Sequence, residues 1–229
     1  MTHHELVHCA TPADAAATAA RVIERELSAR LAVAATASLA VSGGSSPAPM
    51  FDHLAGRRLA WDRIDVFQVD ERIAPDGDPA RNLTVLRTRL TAAVLPDRQL
   101  HTIPVGSGPT GAAEQYAATL AEVLGEPAVL DVVHLGLGDD GHTASLVPAD
   151  PVLGITDVDV AATGDYRGHR RVTLTYPALD RARVLVWLVI GADKRAPLAA
   201  LLAGDPSIPA GRVASAHSII CCDDAAAPD

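Results

Sequence analysis

Apolar residues recur along this chain in two rhythms. Ile23, Leu27 and Leu31 fall four apart, which lays them on one helical face. The stretch Thr11-Pro12-Ala13-Asp14 ahead of them predicts the helix start. Thr11 can cap, Pro12 fits the first turn and Asp14 can reach back. The second rhythm is the short unbroken run. Ser38 to Val41, Ile64 to Val69, Asp131 to Gly136, Arg171 to Thr175, Val184 to Ile190 and Ser218 to Cys221 predict strands, with a shorter one between Leu100 and Val105. Further helices are predicted from Pro47 to about Leu54, through Leu83, Leu86 and Leu90, from Pro109 to Leu124, and through Leu198, Leu201 and Leu202. Strands alternate with helices from end to end. That order predicts an α/β fold, a mostly parallel sheet with helices on both faces, Rossmann-like in kind. No composition break marks a linker, and no repeat appears. Residues 1–229 are expected to form a single domain, with residues 1–10 and 223–229 as flexible ends.

Composition narrows the function classes. Apolar residues make up 48% of 229 residues, too many for a chain that is mainly disordered. The length is enough to bury a core without disulfides or a structural metal. The net charge of −9 argues against a general nucleic-acid or membrane-surface partner, because no basic run appears. Positive charge for an anionic ligand must therefore be local. Cys9, Cys221 and Cys222 make no disulfide framework and no Cys-x-x-Cys pair, which points to a reducing, cytoplasmic setting. The first ten residues carry Glu5 and three histidines and have no apolar core, so they are no signal peptide. His3, His4 and His8 are read as a polar start rather than a metal site. The longest uncharged stretch, Leu31 to Phe51, contains Ser42-Gly43-Gly44-Ser45-Ser46-Pro47 and would not sit in hydrocarbon.

In open parallel sheets, ligands sit beyond the carboxyl ends of the strands. Four such places carry chemistry here. Ser42-Gly43-Gly44-Ser45-Ser46-Pro47 joins a strand to a helix. Its glycines and the helix N-terminus fit a phosphate cradle, and equally a plain strand–helix turn. Gly136-Leu137-Gly138-Asp139-Asp140-Gly141-His142-Thr143 formally matches a dinucleotide fingerprint. Asp139 and Asp140 would repel a pyrophosphate there, so that reading is rejected. What remains is a glycine turn presenting Asp140 beside His142. That is either a general base with its orienting carboxylate or a helix cap with a bystander histidine. Asp70-Glu71-Arg72 follows the next strand, as a solvated cluster or as an arginine aimed at an anion. Lys194 is the sole lysine among 19 basic residues. Its place after the most apolar strand suggests a need for a compact ammonium. His53, His101, His134, His169 and His217 are read as structural or surface residues, and no metal site is proposed.

Taken together, these segments resemble the 6-phosphogluconolactonase family, which is related to the glucosamine-6-phosphate deaminases and isomerases. The resemblance rests on the Ser42 to Pro47 loop, on Val69-Asp70-Glu71-Arg72 with Asn82, on Leu135 to Pro148, on Arg171 to Thr175 and on Gly191-Ala192-Asp193-Lys194. The Gly-Asp-Asp-Gly-His-Thr-Ala-Ser-Leu segment is its most specific part. Val147 departs from the family's usual Phe, and Arg81 from its usual Ser. The resemblance implies hydrolysis of 6-phosphoglucono-1,5-lactone in the oxidative pentose phosphate pathway. It implies no cofactor, metal or nucleotide, and a phosphosugar lactone as the partner of a monomer or small homo-oligomer. His142 would be the base and Asp140 its orienting partner. Gly43, Gly44, Ser45, Asp70, Arg72, Arg171 and Lys194 would hold the phosphosugar. The rivals are a deaminase or isomerase on the same scaffold and a non-catalytic sugar-phosphate sensor. No carboxylate follows His142 until Asp150, which disfavours the deaminase.

Overall fold

A computed structural model describes residues 4–44, 46–91 and 94–228. In chain order the elements are β1 (His4–Cys9), α1 (Pro12–Leu31), β2 (Ala37–Val41), α2 (Ala48–Ala55), β3 (Ile64–Gln68), β4 (Asp70–Arg72), α3 (Asn82–Leu86) and β5 (Leu100–His101). Then come α4 (Gly108–Leu124), β6 (Val132–Gly136), β7 (Val160–Tyr166), β8 (His169–Leu174), α5 (Tyr176–Asp180), β9 (Val184–Val189), α6 (Arg195–Leu202) and β10 (Ser218–Asp223). Seven strands form one sheet in the order β1-β10-β9-β6-β2-β3-β5, and every pairing in it is parallel. Helices cover both faces. Ile23 and Leu27 of α1 and Phe51 and Leu54 of α2 pack on one side. Tyr116 and Leu120 of α4 and Leu198 and Leu201 of α6 pack on the other.

The start of α1 follows its sequence signal: the Thr11 hydroxyl oxygen accepts the Asp14 N–H at 3.1 Å. Other expectations are corrected. Asp70-Glu71-Arg72 is not a solvated cluster but β4, with Asp70 and Glu71 buried, the first strand of a small antiparallel sheet ordered β4-β8-β7. Val69 is the joint. Its N–H donates to Val41 in the large sheet and its carbonyl accepts from Leu174 in the small one. Strand β7 carries no alternating apolar signal and was not expected. It is made by its hairpin, whose turn residues Arg167 and Gly168 both have positive φ, 53° and 80°.

Residues 4–9 and 223–228 are paired or packed against the body of the fold. The edge strand β1 pairs with β10 from His4 to Cys9. His4 Nδ1 lies 2.9 Å from Ser218 Oγ, and His8 Nε2 lies 2.8 Å from Asp224. At the other end Asp223 closes β10, and its carboxylate accepts N–H groups from Gly191 and Ala226, each at 3.0 Å. Ala226 is fully buried. Parallel pairing satisfies a backbone that a loose end would leave to water, which is why these polar ends are held.

Candidate active site

The chain places the site where its strand order reverses. From β2 it runs outward to β3 and β5, then crosses back to lay β6 on the other side of β2. Connections leaving β2 and β6 therefore part above the sheet and open a crevice. A cleft of about 200 Å³ lies there. Gly43, Asp70, Arg72, His142, Arg171 and Lys194 all line it. Gly44, with φ +100°, and Asp140 are not in the lining but adjoin it, Gly44 next to Gly43 and Asp140 bonded to His142. Ser45 lies outside the described residues.

His142 is held by a turn that folds on itself. Gly138 N–H donates to the His142 carbonyl at 2.8 Å, and Gly141 N–H donates to the Gly138 carbonyl at 3.1 Å. Gly141 sits at φ +79°, where a side chain would be strained. Gly138 is needed for space: a Cβ there would stand 2.0 Å from His142 Nδ1. The Asp140 carboxylate accepts from His142 Nδ1 at 2.6 Å and from the Tyr166 hydroxyl at 2.7 Å. Nδ1 therefore carries the proton. Nε2 has no bond among the described residues, and the ring lines the cleft. Burial would raise the Asp140 pKa, but the bonds from Tyr166 and His142 outweigh it and bring it down to about 2. The same bond, with burial, pushes Tyr166 up to about 12.

The opposite wall is a buried polar network around β4. Asp70 is 5% exposed. Its carboxylate accepts from Ser145 Oγ at 2.5 Å and from Asn82 Nδ2 at 2.9 Å. Burial raises its pKa, against the Ser145 bond and the nearby Arg171. Arg72 and Arg171 stand opposite each other in the β4–β8 register. Like charges so paired repel, and an anion between them relieves that cost. Arg171 also lies over the Tyr166 ring, 4.9 Å from its centre. Lys194 pairs with its exposed neighbour Asp193 at 2.7 Å.

Glu71, fully buried, fastens this wall. It accepts the N–H groups of Arg72 (2.8 Å), Asn82 (2.7 Å) and Leu83 (3.0 Å), and the Gln68 amide at 2.9 Å. Arg81, where the family usually has Ser, is the countercharge, with Nε 3.1 Å from Glu71. Asp139, Asp140 and His142 bring ligand atoms within 4.8 Å of one another, a spacing that suits a metal. Each acid is already engaged, however: Arg167 holds Asp139 at 2.9 Å, while Tyr166 and His142 hold Asp140.

Tyr166 and Arg167 belong to this site or its support without having been expected; His134, expected to be structural or surface, lines it, and Ser145 entered only within the resembling segment. Asn82 entered only through the resemblance. Its two roles are to bond Asp70 and to accept from Arg72 at 3.3 Å.

The sequence family described as glucosamine-6-phosphate isomerases/6-phosphogluconolactonase matches residues 10–221, and the chain belongs to it. A relative from Nostoc sp. named 6-phosphogluconolactonase is 37% identical over 172 residues, covering 72% of this chain and 71% of its own. One of the same name from Streptomyces coelicolor is 33% identical over 235 residues, covering 93% and 89%. The structure of 6-phosphogluconolactonase from Trypanosoma cruzi superposes with a TM-score of 0.88 at 25% identity, covering 99% of this chain and 97% of that one.

Proposed function

We infer that this protein is a 6-phosphogluconolactonase, which hydrolyses 6-phosphoglucono-1,5-lactone to 6-phosphogluconate in the oxidative pentose phosphate pathway. The observation that carries the mechanism is the Tyr166–Asp140–His142 relay with Nε2 left open to the cleft. His142 Nε2 takes a proton from water as its oxygen attacks the lactone carbonyl. The tetrahedral intermediate collapses by breaking the bond to the ring oxygen, and His142 returns the proton to that oxygen. Asp140 holds the productive tautomer and steadies the imidazolium, as a general base requires. Arg72, Arg171, Lys194 and the Gly43-Gly44-Ser45 loop hold the phosphate. Asp70 braces that wall through Ser145 and Asn82. Binding the remote phosphate fixes the carbonyl against His142. The protein acts without a metal or nucleotide, and no helix among the described residues is long and apolar enough to cross a membrane.

The deaminase alternative needs a carboxylate close after the histidine. Asp150, the first available, is spent elsewhere, accepting the N–H groups of Val152 at 2.8 Å and Gly164 at 2.9 Å. Acid release from freshly made lactone, set against the spontaneous rate, tests the reading. The expected result is a large acceleration, unchanged by EDTA, with no ammonia released from glucosamine 6-phosphate. No acceleration over the enzyme-free control would sink it.

A further inference from the structure

His134 is one of the polar residues lining this cleft that the mechanism leaves unused. It sits on β6, two residues before the turn that carries His142. It lines the cleft yet is 1% exposed. Neither ring nitrogen meets a hydrogen-bond partner among the described residues. Its register partners are Val41 and Val186, and the edge of its ring contact is Phe51, 6.3 Å away. Burial pushes its pKa down to about 3, so the ring is neutral and offers one donor and one acceptor. A buried polar group without a partner costs stability, and an aliphatic residue would avoid that cost on a strand otherwise made of Val, Leu and Gly.

We propose that His134 is a substrate-binding residue that hydrogen-bonds one hydroxyl of the sugar ring and so helps set which lactones are accepted. A neutral donor–acceptor pair matches a hydroxyl, which both gives and accepts a bond. It does not match a phosphate, which only accepts and which the arginines and Lys194 already suit. Leu188 and Ile190 line the cleft beside it and exclude water that would otherwise compete. The proposal rests on the lactonase reading.

The test compares wild type with His134→Leu on 6-phosphogluconolactone and on its 2-, 3- and 4-deoxy analogues. On the full lactone the variant should lose about 10- to 100-fold in kcat/KM, most of it in KM. One deoxy analogue should show no such loss, because it lacks the hydroxyl that His134 meets. The Tm of the variant should rise by a few degrees. Equal losses on every lactone, or no loss on any, would overturn the proposal. Should His134→Leu not fold, His134→Asn keeps a donor and an acceptor and should show the same loss in weaker form, again absent for that one analogue. Failure of wild type to accelerate any lactone would instead remove the underlying activity, a different result from an unaffected variant.

Discussion

Two glycine turns sit side by side at the rim of the sheet, and they are built for the same reason. A Cβ on Gly43 would stand 2.3 Å from the Asn82 side chain, and one on Gly138 would stand 2.0 Å from His142 Nδ1. Each turn lets a functional side chain rest against bare backbone. They differ in what lies behind that side chain. Asn82 is tied to Asp70, Arg72 and Glu71, so an intruding methyl would push on a whole wall. His142 is held by the Asp140 carboxylate and an edge contact with the Tyr166 ring, a smaller support than that wall. On the proposed mechanism, one turn serves to hold the substrate and the other to move a proton. Residue type alone does not separate these uses; the attached network does.

The sharpest way to break the comparison is at the histidine itself. His142→Ala should lower kcat by roughly 10²- to 10⁴-fold while KM stays close to wild type. Asp140→Asn should cost less, because Asp140 only orients. Its depressed pKa of about 2 keeps it ionised above that pH, so it should add no inflection to a pH–rate profile taken above about pH 4. An equal loss in the two variants would make Asp140 the base. The glycines come next. Gly138→Ala should act on kcat, by on the order of 10²-fold if the ring shifts about 1 Å. Gly43→Ala should act mainly on KM. If the two variants share one kinetic signature, the division between the turns is wrong. The smallest effect is expected at Lys194. Lys194→Arg keeps the charge but brings a larger, forked head, and should raise KM several-fold. Arg195→Lys beside it, whose guanidinium donates to the Ala225 carbonyl at 3.4 Å and is assigned no role in the site, should be nearly silent.

The turns were legible in the sequence because each is local: glycines, a strand before and a helix or loop after. The parallel sheet was legible for the same reason, from runs such as Val184 to Val189. What stayed hidden is long-range. Ser145 meets Asp70 across 75 positions, and Tyr166 meets Asp140 across 26. No spacing rule links such pairs, because the small sheet that joins them is made from β4, a charged triplet, and β7, a strand with few apolar residues. His134 reads from sequence as structural or surface, one of several scattered histidines. Only its lack of partners set it apart.

Glu71 has a consequence for how this molecule tolerates change. It grips the chain at Arg72 and again at Asn82 and Leu83, so the segment leaving at Ile73 and returning at Arg81 is a handle riveted at both ends. The tip near Gly77 is exposed and far along that handle from either rivet. Insertions there, or a grafted epitope, would reach the cleft only through those rivets and the Arg72 bond to the Ala80 carbonyl. The handle is thus the natural port for fusing another module to a working enzyme.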